Sequence, residues 1–109
     1  MLADHLVTQV YHATAHFPSA ERFALQAQLR RAAVSVASNI VEGSARRSTP
    51  EYLNFLNIAA GSAAESGYQV ELAERLGFFS EADRQSLASN YTELAGQLQA
   101  LIRALSTRP

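Results

Sequence analysis

Three prolines and five glycines are all the helix-breaking residues in a chain of 109. Their placement limits the fold more than any other feature of the sequence. Pro18, Gly43, Gly77 and the terminal Pro109 fall where the apolar patterning also breaks. Between them lie four segments of helical length, over about 2–16, 19–42, 49–76 and 80–106. Alanine, leucine, arginine, glutamine and glutamate dominate these segments. All are good helix formers, because their side chains lose little rotamer freedom against a helical backbone. No useful stretch alternates apolar with polar residues, so strands are not expected. The pattern predicts one all-α domain over 1–109, an up-down-up-down four-helix bundle.

The segment boundaries carry their own chemistry. Ser48-Thr49-Pro50-Glu51 reads as a capping box, with Ser48 accepting from a first-turn amide and Glu51 reaching back. Pro50 needs no amide partner there. Ser80-Glu81-Ala82-Asp83 reads alike and sets two carboxylates at the positive end of a helix dipole. Gly43 and Gly77 stand where a left-handed C-terminal cap is wanted.

Each segment carries an apolar stripe at helical spacing. Ala3, Leu6, Val10, Ala13 and Phe17 form the first. Leu87, Tyr91, Leu94, Leu98, Leu101 and Leu105 form a coiled-coil-like seam on the fourth. On the second, Leu25, Leu29, Ala32, Ala33, Val36 and Ile40 share one face, and on the third Tyr52, Leu56, Ala59, Ala63 and Val70 do. The middle two segments also carry apolar residues elsewhere. Phe23, Val34 and Val41 lie roughly opposite the core face of the second, and Phe55 and Ile58 lie off the stripe of the third. One stripe suffices for a bundle member, so the surplus means either a thick core with tolerated exposed apolar residues or, the favoured reading, a homo-oligomer interface on these residues.

The chain has no cysteine, which excludes disulfides, thiolate metal sites and a cysteine nucleophile. His5, His12 and His16 lie on the first segment away from its stripe, with no acid on that face, so no metal or other cofactor is expected. No phosphate loop, dinucleotide fingerprint, nucleophile elbow or di-iron motif occurs, and no enzyme is expected. The N-terminus lacks a basic and apolar leader, and no segment is apolar enough to span a bilayer, so a cytoplasmic protein without a membrane partner is expected.

Two polar features remain. Gln28, Arg31, Ser35, Asn39 and Glu42 share a sector of the second segment, and Ser62 and Glu65 step along the third. They form either an interhelical network, with Arg31 pairing to Glu42 or Glu65, or a binding groove. The second feature is charge. All nine basic residues are arginines, and the formal net charge is −1. Up to residue 50 the balance is +2, across 51–84 it is −4, and from 85 on Arg103 and Arg108 leave +1. Arg30, Arg31, Arg46 and Arg47 are the candidate nucleic-acid contacts, since the guanidinium fork suits phosphate. A monomer with this balance would bind poorly; a ring gathering the same loop from every subunit would raise local charge density.

The run Phe17-Pro18, Glu21, Leu25, Gln28-Leu29-Arg30-Arg31-Ala32-Ala33, Ser35, Asn39-Ile40 and Glu42-Gly43 resembles the 23S rRNA intervening-sequence proteins. The second half is similar too, at Arg47-Ser48, Glu51-Tyr52-Leu53, Phe55-Leu56, Gly61-Ser62, Ala64-Glu65 and Leu76-Gly77-Phe78. The resemblance covers nearly the whole chain. It implies a four-helix bundle. A relative, the accessory protein of diversity-generating retroelements, forms a pentameric barrel with a basic surface and binds nucleic acid and reverse transcriptase. The resemblance thus implies a homo-oligomer, a pentamer, with RNA or a nucleic-acid-handling protein as partner. The alternative is an interaction scaffold with no nucleic-acid affinity. The chain departs from the family pattern at Ala37, where proline is common, and at Ser66-Gly67-Tyr68, where relatives are richer in leucine.

Overall fold

The computed structural model describes residues 1–107. Arg108 and Pro109, counted above, lie outside the described residues. Four α-helices form: α1 (Leu2–Thr14), α2 (Leu25–Ser44), α3 (Thr49–Arg75) and α4 (Glu81–Ser106), with a short 3-10 turn over Ser19–Glu21. No strand occurs among the described residues. Each helix packs on two neighbours, α1 on α2 and α4, and α3 on α2 and α4, while the backbones of the diagonal pairs stay apart. That is the square of an up-down-up-down bundle.

The predicted stripes form the core. Leu6, Leu29, Leu56 and Leu87, one from each helix, are fully buried and belong to a single cluster. Ile40, Tyr52 and Leu101 are only partly buried against it. On α1 the sequence pattern pointed to Ala13, but Thr14 takes the buried position beside it. Its hydroxyl donates to the Val10 carbonyl at 2.8 Å, so a polar side chain enters the core without an unmet hydrogen bond. Phe17 packs on Phe78 and Phe79, with centroids 5.3 and 5.0 Å apart, closing one end of the bundle.

The expected start of the second helix at residue 19 needs correcting. Pro18 and the 3-10 turn are followed by a bend, and Ala24 (φ −119°, ψ −110°) leaves helical geometry before α2 begins at Leu25. Burying both Phe17 and Leu25 requires the chain to reverse between them, and a helix cannot do that. Helix propensity loses to tertiary burial here. Ala37 lies inside an unbroken α2.

Gly43 is a second correction. It is helical and sits inside α2, and among the described residues only Gly77 has positive φ, at 78°. A Cβ on Gly43 would stand 2.8 Å from Phe55 Cβ and 3.0 Å from Tyr52 Cδ1. Glycine is therefore needed for close approach of α3, not for a turn. Gly77 behaves as expected: its amide bonds the Glu74 carbonyl at 2.9 Å and the Phe78 amide bonds that of Ala73 at 2.8 Å, a Schellman cap. Both N-caps also form, with Ser48 Oγ accepting from the Glu51 amide and Ser80 Oγ from the Asp83 amide.

Candidate interaction surface

The four candidate arginines do not share one surface. Arg30 turns toward α1. Its Nε donates to Thr14 Oγ1 at 2.8 Å, its Nη2 to the Tyr11 carbonyl at 3.2 Å, and its guanidinium lies 4.4 Å from the Tyr11 ring centroid. Gln26 Nε2 adds a bond to the Thr14 carbonyl at 2.7 Å. Together they satisfy carbonyls at the C-terminus of α1, where positive charge is also favoured by the helix dipole. Arg31 points outward and is exposed.

Arg46 and Arg47 follow the end of α2, roughly 22 Å further along its axis at 1.5 Å of rise per residue. Arg46 pairs with Glu42 at 3.3 Å and lies 4.8 Å from the Phe55 ring centroid. This is the one ion pair among the described residues, so Arg31 pairs with neither Glu42 nor Glu65. Arg47 is exposed beside the N-terminus of α3. The Glu51 carboxylate already stands there, accepting from Ser48 Oγ at 2.9 Å.

The polar sector divides as well. Ser35 and Ser62 hydroxyls meet at 2.9 Å across α2 and α3, and Asn39 Nδ2 donates to the Ser35 carbonyl at 2.7 Å and hydroxyl at 3.2 Å. Above this pair Gln28, Arg31 and Glu65 line an open cleft of about 210 Å³, and Gln69 holds Glu65 at 3.1 Å. The hydroxyls and Asn39 thus make an interhelical contact, while the charged members form the walls of a groove. Glu42 belongs to the arginine turn instead.

The surplus apolar residues are on the surface. Phe23 is 90% exposed, Val41 59%, Ile58 45% and Val34 38%, while Phe55 is half-buried beneath Arg46. Met1 and Tyr11 join Val34 and Val41 as exposed apolar residues on the packed α1–α2 pair. The three histidines, His5 and His12 on α1 and His16 in the turn after it, line a shallow cleft, and the fold brings Asp83 of α4 to it, which sequence spacing could not show. No three ligating groups converge there or elsewhere among the described residues. The seam places Tyr91 in the core, as the structure has it, but helical spacing does not show that Ser66 of α3 is buried beside it. Their hydroxyls are buried near one another without closing a hydrogen bond, and burial pushes the Tyr91 phenol above its ordinary range, partly offset by Ser66.

An all-helical bundle with capped helices, an interhelical serine pair and unfilled apolar surface defines a helical packing module. The chain belongs to the 23S rRNA-intervening sequence protein family, whose pattern matches residues 1–100. A crystal structure of a protein of unknown function from the S23 ribosomal protein family of Bacteroides thetaiotaomicron is similar, with a TM-score of 0.78 and 26% identity. The similarity covers 93% of this chain and 91% of that one. No curated protein matches the chain. No helix among the described residues is long and apolar enough to cross a membrane.

Proposed function

We propose that this protein is a non-enzymatic, self-associating helical module, closed into a ring, that presents its arginine turn to RNA or a ribonucleoprotein. The exposure of Phe23, Val34, Val41 and Ile58 carries the reading. Covering side chains of this size with a partner surface removes apolar area from water, and a second copy of the chain is always at hand. Arg46 and Arg47, with exposed Arg31, are the RNA contacts, and Arg30 serves to hold α1. Assembly supplies the charge density that the single chain lacks. The family's association with 23S rRNA supports the choice of nucleic acid.

A second reading, a scaffold without RNA affinity, is favoured by one observation: Arg46 is already engaged by Glu42 and Phe55. Filter binding on structured and single-stranded RNA over a salt series separates the two. The first reading expects affinity to fall steeply with salt, with a slope shallower by about one for each arginine removed in Arg46→Ala/Arg47→Ala. No retention at low salt would leave the scaffold.

A further inference from the structure

We propose that one copy of this chain seats its Arg22–Phe23 bend in the alanine-lined groove between α3 and α4 of another copy. The inference rests on the self-association argued above and names where the most exposed apolar side chain goes.

The plug is set by the backbone. Leu25 turns inward at the start of α2, and the break at Ala24 leaves Phe23 outside the helix, 90% exposed. The aromatic cluster of Phe17, Phe78 and Phe79 does not take it in. Arg22 beside it is exposed and forms no ion pair among the described residues. An aromatic ring next to a free guanidinium is the composition of an interface anchor.

The socket is lined by α3 and α4, and neither Arg22 nor Phe23 of the same chain enters it. Ala60, Ala64 and Gly67 of α3 face Ala88 and Ala95 of α4 across a groove of about 450 Å³. Nothing approaches within 4 Å of where a Gly67 Cβ would be, so the groove is open rather than packed. Tyr68, 56% exposed, offers a ring to stack on, and Glu71 lines the groove without an ion-pair partner among the described residues. Arg22 and Glu71 are thus complementary neighbours for the two halves of the contact. The plug comes from the +2 part of the chain and the α3 wall of the socket, which carries Glu71, from the −4 part, so the charge on that side of the contact has the same sense.

The chain has no cysteine, so introduced thiols report without background. Arg22→Cys and Glu71→Cys proteins are made singly and together, then treated with a short bismaleimide. Mixing the two single variants is expected to give a covalent dimer at least tenfold above either alone. The double variant is expected to give a ladder, and a product stopping at two chains upholds the contact while refuting the ring. Light scattering supplies the second arm. Phe23→Ser and Gly67→Trp are each expected to lower the assembly mass with helicity unchanged, because neither side chain is packed in its own fold. A wild-type multimer that gives no cross-link, and whose mass neither substitution alters, overturns this contact and leaves self-association standing. A wild-type monomer overturns both.

Discussion

Gly43 and Gly61 show how differently one residue type is used on adjacent helices. A Cβ on Gly43 would strike Phe55 and Tyr52, whereas one on Gly61 meets nothing within 4 Å. Gly43→Ala is therefore expected to destabilise, since overpacking costs about 1–3 kcal/mol against a helix-propensity gain of about 1 kcal/mol. Gly61→Ala should stabilise by about 0.5–1 kcal/mol. Urea unfolding of both variants checks the sign of each. Tyr91 yields a pH prediction. Its raised pKa means the folded state holds the phenolic proton longer than the unfolded state does. This stability is present below pH about 10, the ordinary tyrosine value, and fades as pH climbs to the folded pKa. Tyr91→Phe should lose less stability than wild type between neutral pH and pH about 11, read from melting temperatures. Capping residues were legible from sequence because Ser48 and Glu51 act across three residues. Gly43 was not, because a glycine ending an apolar pattern serves equally as a cap or as a point of contact, and only the position of α3 decides.

At the scale of elements, α1 depends most on its neighbours. Its 13 residues are near the length at which an isolated helix is marginal in water. It is held by Leu6 and Val10 in the core, by Arg30 and Gln26 at its C-terminus, and by Gln9, which donates to Ser86 at 2.7 Å and accepts from Asn90 at 2.8 Å. Arg30→Ala removes a charged donor from two acceptors, a loss of about 1.5–3 kcal/mol. Hydrogen exchange should then show α1 amides opening about tenfold to hundredfold faster, with α3 and α4 amides less affected. Equal acceleration in all four helices would mean that α1 does not open on its own. The sequence pattern marked Arg30 as a candidate contact for RNA. Its role as a clamp depends on Tyr11 and Thr14, 19 and 16 residues earlier, and no helical spacing links residues across a chain reversal.

For the whole molecule, the apolar patterning exceeds what four helices need. The excess is graded: Val34 is 38% exposed, Val41 59% and Phe23 90%. Val41→Glu is expected to weaken self-association about tenfold or more, because a carboxylate buried in an interface loses hydration without a partner. Sedimentation equilibrium on the variant and wild type, with circular dichroism to confirm the fold, measures it. An unchanged association constant would remove Val41 from the interface.

Helix number, helix order and most core positions follow from the sequence alone, because apolar spacing, caps and breakers act within a few residues. Leu6, Leu29, Leu56 and Leu87 were all legible in this way. The tertiary structure decided the rest: where α2 begins, why Gly43 is glycine, that Arg30 clamps α1, and that Thr14 and Ser66 are buried. Each of these depends on a partner far away in sequence. The energy that settles them is packing and hydrogen bonding between helices, and it is defined only once the helices meet.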